Sequence, residues 1–331
     1  MVELEALRRL SARVGADPLL VQAAGGNTSL KHNGLMWIKA SGTWLRDAVA
    51  KDIFVAVDHQ RLTAALARHD AACESCVDFA QAGATLRPSI ETTVHALMPQ
   101  PVVVHVHCVN TIAWAIQANA EAALGALLQR FNWAFIPYAR PGLPLAGAIS
   151  QRLRPETDVL VLGNHGLVVA AQTVAEAEAL LDRVVARLQR PARPTVAPRL
   201  ETIRALCAGT DYSPAASAET HALATDAHAL AIGGHAVYYP DHVVFLGVGV
   251  ATAMASGAAL VALPGKGVVV RNDAKPAVEP MGRCLADVMR RIGTADQLRA
   301  LSESDIDRLV NWDAEKYRQT LTQTASGPER V

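Results

Sequence analysis

Apolar positions along this chain switch repeatedly between a period near 3.6 and a period of two, so helices and strands are expected to alternate from end to end. Residues 1–20 carry leucine and valine at helical spacing. A small polar turn, Ala24-Gly25-Gly26, then leads into a strand through Leu30. His32-Asn33-Gly34 has the residues of a tight hairpin turn, with 35–40 as the returning strand and 52–57 as another. Residues 59–83 read mostly as helix. A further helix starts near Ile90 and is closed by Pro99 and Pro101. Next come a valine-rich strand over 102–107, a helix over 109–130, a short strand at 135–138 and a helix over 142–153. Residues 158–171 read as a hairpin around Asn164-His165-Gly166. A helix over 173–189 follows, with Thr173 as N-cap and Glu176 three residues on, the pattern of a capping box.

Three prolines within residues 190–199, with no apolar period, mark a linker at 191–199. A first unit therefore spans 1–190 and a second 200–331. The second is expected to hold one or two helices, strands at 236–239, 243–246, 260–263 and 268–271, and closing helices near 276–292 and 303–322. Asn311-Trp312-Asp313 is expected to dock the last of these. The fold class implied is α/β or α+β for both units.

Composition narrows the function. Of 331 residues, 51% are hydrophobic, enough for a sizeable core. Lys+Arg and Asp+Glu both number 31, and this balance argues against a nucleic-acid partner. No uncharged run reaches membrane-spanning length: the apolar stretch over 243–263 is broken by Gly247, Gly249 and Gly257. The amino-terminal residues lack the apolar core of a signal peptide. Five cysteines in no regular framework point to reduced thiols, and a cytoplasmic location is expected. Cys73 and Cys76 read as two thiols one helical turn apart.

The residues with chemistry to offer are three histidines in apolar contexts. His105 and His107 are two apart in the valine-rich strand, which puts both on one face, roughly 6.5–7 Å apart along the backbone. His165 comes from a second buried strand at its turn. Neutral imidazole is costly to bury without partners, so three in such contexts point to a shared ion, and three protein ligands with an open fourth position is the pattern of catalytic zinc. Glu91 lies fourteen residues before His105. The turns Gly25-Gly26-Asn27-Thr28-Ser29 and Ala40-Ser41-Gly42-Thr43, with Ser89 ahead of the Glu91 helix, offer N–H and hydroxyl donors to an anion. His95, one turn after Glu91, could orient it. Asp241-His242 reads as a turn, with a substrate contact as the alternative. Val244 to Ala253 loosely echoes a dinucleotide fingerprint but lacks its third glycine.

Taken in order, Gly-Gly-Asn-Thr-Ser, Lys-Ala-Ser-Gly-Thr, Pro-Ser-Ile-Glu91, His105-Val-His107 and Asn-His165-Gly resemble the class II aldolase/adducin family, over roughly residues 5–190. Within it the phrase Ser-Ile-Glu-Thr-x-x-His-Ala-Leu looks most like the aldolase part of rhamnulose-phosphate aldolase/dehydrogenase-type proteins, although 200–331 is too short for a dehydrogenase domain as well. The resemblance implies a three-layer α/β/α fold with a predominantly antiparallel central sheet, plus the smaller carboxy-terminal α/β unit. It implies Zn2+, or another divalent transition metal, on His105, His107 and His165, with Glu91 as catalytic acid/base. It implies Asn27, Thr28, Ser41, Gly42 and Ser89 around a phosphate. It implies a small-molecule sugar phosphate or sugar acid as substrate, cleaved by retro-aldol chemistry with the metal stabilising an enediolate, in a homo-oligomer, commonly a tetramer. An epimerase or decarboxylase on the same fold would share the metal and Glu91. An adducin-like assembly module would not need the three histidines and Glu91 that this chain retains.

Overall fold

The computed structural model describes residues 4–321. In chain order the first unit contains α1 (Leu4–Ala16), β1 (Asn27–His32), β2 (Leu35–Lys39), β3 (Phe54–Asp58), α2 (His59–Ala67), α3 (Thr92–Leu97), β4 (Val102–Val106), α4 (Val109–Ala115), α5 (Ala120–Leu128), β5 (Trp133–Ile136), α6 (Leu143–Arg152), β6 (Val159–Leu162), β7 (Gly166–Ala171) and α7 (Val174–Arg187). Its seven strands form one sheet in the order β3-β2-β1-β4-β7-β6-β5, antiparallel throughout except for the parallel pair β5 and β6.

The period of two along the strands sorts side chains onto two covered faces. On one, Val102, Val104 and Val106 pack with Leu7 and Leu10 of α1 and Leu181 and Val184 of α7. On the other, Val103 packs with Val94 of α3 and Ile149 of α6, and Ile38 with Leu62 of α2. Helices thus cover both faces, which is the expected three-layer arrangement. His105 alternates with these valines and lies on the α3 face, opposite Asn27 in the β1–β4 register. The hairpin at Asn33-Gly34 forms with both residues at positive φ, 49° and 79°. Thr173 and Glu176 make the reciprocal capping box of α7.

The second part of the chain contains α8 (Leu200–Cys207), β8 (Tyr212–Pro214), α9 (Ala222–Thr225), α10 (Ala227–Gly233), α11 (Pro240–Leu246), β9 (Leu260–Leu263), β10 (Gly267–Arg271), α12 (Val278–Met289), α13 (Glu303–Val310) and α14 (Asp313–Leu321). Three antiparallel strands pair in the order β8-β10-β9. Between α7 and α8, residues 190–199 form no helix or strand, yet the segment is anchored. Arg190 pairs with Asp296 at 2.6 Å and lies 4.3 Å over the Trp114 ring, and Arg193 pairs with Asp226 at 2.7 Å. One core joins the two parts: Ile112 and Ile116 at α4 pack with Leu285, Val288 and Met289 of α12.

Several expected elements differ. The strand expected at 243–246 is helix α11, and 236–239 carries no strand. Pro240 at the first helical position has φ preset for a helix, and a short apolar run such as Val-Val-Phe-Leu fits either element. The strand–turn context of a dinucleotide fingerprint is therefore missing. The helix expected over 109–130 breaks at 116–119, where the backbone is recruited by the carboxy-terminal part: Ala118 N–H donates to Gln297 O at 2.8 Å and Arg299 N–H to Ile116 O at 2.7 Å. The helix expected over 59–83 ends at Ala67, after which His69 takes φ 57° and short 3-10 turns follow, one of them holding Cys73. The last helix divides at Asn311-Trp312, where the Trp312 ring lies 4.3 Å from the Arg140 guanidinium. Residues 1–3 and 322–331 lie outside the described part.

Candidate metal centre

The α3 face of the sheet and the turn between β6 and β7 meet at the end of β4. There the ligand atoms of Glu91, His105, His107 and His165 all lie within 4.8 Å of one another, and all four residues are buried. His105 is the last inward side chain of β4, and His107 follows directly after the strand. His165 sits in a tight turn set by Asn164 at φ 54°. Gly166, next to it, has no room for a side chain: a Cβ would stand 2.5 Å from the Val106 carbonyl oxygen. Glu91 is the N-cap residue of α3. The ring centroids of the three histidines are 5.0, 5.0 and 5.1 Å apart.

Hydrogen-bond direction fits this group to a cation. The Nδ1 of His105 is 3.0 Å from the Leu167 carbonyl oxygen, which only accepts, so Nδ1 carries the proton. The Nδ1 of His107 is 2.7 Å from a carboxylate oxygen of Asp241, which fixes the same tautomer. Both Nε2 atoms are left as lone pairs, and they face each other at 3.1 Å. Two lone pairs at that distance repel unless a proton or cation lies with them. Glu91 adds negative charge at the same point, with Oε2 3.3 Å from His105 Nε2 and Oε1 3.2 Å from His165 Nε2. Burial alone would raise the Glu91 pKa, but the neighbouring His105 and His165 hold it well below the usual carboxylate range. Burial pushes His165 down to about 3, partly opposed by Glu91. At His105 burial acts downward too, but the Glu91 charge outweighs it and the pKa is raised.

A chain of hydrogen bonds holds the carboxylate. Asn27 Nδ2 donates to Glu91 Oε2 at 2.8 Å and to Ser89 Oγ at 3.1 Å. The Asn27 carbonyl oxygen accepts from His95 Nε2, which leaves His95 Nδ1 to accept from Ser29 Oγ at 2.7 Å. Burial drives His95 well below its ordinary pKa, consistent with this neutral tautomer. His95 is thus an orienting neighbour of the group.

Asn27, Ser41, Gly42 and Ser89 line one small cavity with Glu91 and His107, of ≈ 20 Å³. The Ser41 hydroxyl is buried with no hydrogen-bond partner. Thr28 does not join them. Alternation along β1 turns it to the opposite face, where its hydroxyl meets Ser11 of α1 at 2.7 Å and is fully buried. Two further residues stand at the site beyond those expected from the sequence. Lys39, 2% exposed, lines the cavity and donates from Nζ to the carbonyl oxygens of Ala24 and Gly26 at 2.7 and 2.8 Å, tying down the glycine turn. A lysine at a strand end between Ile38 and Ala40 was the available signal. Asp241 was expected in a turn or at the substrate; its pairing with His107 was not readable, because the two lie 134 residues apart.

The family description Class II Aldolase and Adducin N-terminal domain matches residues 6–189. The chain belongs to the class II aldolase and adducin family. A Bacillus subtilis (strain 168) protein named uncharacterized oxidoreductase YuxG is 30% identical over 189 residues, 51% of this chain and 27% of that protein. The chain therefore spans about a quarter of the length of that relative. Among solved structures, the N-terminal class II aldolase domain of a conserved protein from Thermoplasma acidophilum is 25% identical with a TM-score of 0.50, covering 56% of this chain and 92% of that one. The fold is that of the class II aldolases, and the buried group of three histidines and a glutamate suits this metal-dependent family. Among the described residues, no helix is long and apolar enough to cross a membrane.

Proposed function

We propose that this chain is a zinc-dependent carbon–carbon lyase that cleaves a phosphorylated or acidic sugar by retro-aldol chemistry. The observation that carries the reading is the pair of fixed tautomers at His105 and His107, which aim two Nε2 lone pairs at one point beside His165 and Glu91. Imidazole donors suit zinc among the divalent ions, with other transition metals as alternatives. When bound, the ion would supply Lewis-acid stabilisation of the charge that grows on a substrate carbonyl oxygen. The proton work falls to Glu91. Its Oε2 is held by Asn27, whereas Oε1 accepts no hydrogen bond. An ionised Oε1 takes the proton of the substrate hydroxyl as the carbon–carbon bond breaks. The bond pair moves toward the carbonyl oxygen, and Glu91 Oε1 then returns its proton to carbon. Burial of all four groups keeps bulk water from competing for that proton. The Ser41 and Ser89 hydroxyls, with Lys39 close by, suit the anionic end of the substrate.

The test is elemental analysis of purified protein joined to an aldehyde-release screen with ketose phosphates and sugar acids, on wild type and Glu91→Gln. The expected result is about one equivalent of metal per chain in both proteins. Turnover in the Gln variant should fall by at least ~100-fold. A Gln variant that turns over normally would remove Glu91 from its role.

A further inference from the structure

Among the described residues, His107 is the one site histidine whose outer nitrogen meets a charged group from the carboxy-terminal part of the chain. Asp241, in the first turn of α11, places Oδ2 2.7 Å from His107 Nδ1. Both side chains are nearly excluded from solvent, at 5% and 7% exposure. A buried carboxylate is retained where hydrogen bonds compensate its lost hydration, and here it accepts from the imidazole N–H. Room for the pair comes from Gly25, where a Cβ would stand 2.8 Å from His107 Nδ1 and 3.3 Å from Asp241 Oδ2. A second, independent tie holds α11 to the same centre. The Asn164 amide, in the turn that presents His165, donates to Tyr238 O at 2.8 Å and to Arg299 O at 2.7 Å. The chain just before Asp241 is thereby pinned to one ligand-bearing turn, while Asp241 itself grips the ligand on another.

From this geometry we infer that Asp241 is a positioning residue of the metal centre, and that the carboxy-terminal part of the chain is an outer wall of that centre. Asp241 holds His107 in the Nδ1–H tautomer, orients its ring and makes Nε2 a stronger donor. The inference rests on the metal reading above. A carboxylate placed behind a ligating imidazole typically strengthens metal affinity by about 10–100-fold.

The test uses the full chain stripped of metal, titrated with Zn2+ against a chromophoric chelator and with Co2+ followed by its visible spectrum. Asp241→Ala is expected to bind Zn2+ about 10–100-fold more weakly, with an altered Co2+ spectrum and a metal-free melting temperature close to wild type. Asp241→Asn keeps an acceptor but not the charge, and should weaken binding by a smaller factor, about fivefold. Should the Ala variant not fold, the Asn variant decides. Variants that bind within about twofold of wild type, with an unchanged Co2+ spectrum, overturn the role of Asp241 and leave the metal reading intact. A wild-type chain that binds neither ion overturns both.

Discussion

His242 and His105 are the same residue type under similar burial, yet their surroundings give them opposite characters. His105 has a carbonyl at Nδ1 and the Glu91 carboxylate at Nε2. His242 is fully buried with neither ring nitrogen hydrogen-bonded, and burial pushes its pKa down to about 4. In the unfolded chain the same group titrates near 6.5. Below that pH the unfolded state takes up a proton that the folded state refuses, so stability falls as pH drops from about 6.5 toward 4 and is unaffected by this group above that window. Between pH 7 and pH 5 the loss from His242 is on the order of 2 kcal/mol. Replacing it with Leu should remove that part of the acid sensitivity. Urea unfolding at pH 7 and pH 5, with a chelator present throughout, reads the difference. Wild-type and His242→Leu proteins that lose equal stability between the two pH values would refute the assignment.

At the scale of elements, local pattern and long-range pairing divide the outcome. Alternation in Val102–Val106 located the strand that carries His105, Asn33-Gly34 located a hairpin, and Thr173 with Glu176 located the start of α7. These are decided by neighbours in sequence. The same alternation, applied to β1, would have separated Thr28 from Asn27, since successive side chains face opposite ways. The helix α11 and the break at 116–119 were hidden because their causes lie elsewhere: Pro240 competes with an apolar run that reads equally well as strand, and residues 297–299 claim the backbone of 116–118. The turn between β6 and β7 makes a sharp element-level expectation. Gly166→Ala would drive a Cβ into the Val106 carbonyl oxygen, a backbone atom that yields only if the strands shift. Destabilisation of about 1–3 kcal/mol is expected, together with weaker metal binding as His165 moves. Melting and metal titration of this variant check it. Wild-type values in both would mean the turn has slack that its packing does not suggest.

Over the whole molecule, the proline-rich segment at 190–199 marked a division that packing bridges. Ile112 shares a core with Leu285, Asn164 holds the backbone of Tyr238, and Asp241 reaches His107. Each pairing spans many tens of residues and leaves no periodicity to read, which is why three histidines and a glutamate were legible in the sequence while the pairing of Asp241 with His107 was not. The result is a buried group whose histidines come from the end of β4 and the turn between β6 and β7, with Glu91 from the start of α3 and Asp241 from the other end of the chain. X-ray absorption at the zinc edge of the reconstituted protein tests the central claim most directly. Three imidazole nitrogens at ~2.0–2.1 Å, with oxygen completing the shell and no sulfur, is the expected spectrum. A shell containing sulfur at ~2.3 Å, drawn from the five buried cysteines, or one without imidazole scattering, would contradict it.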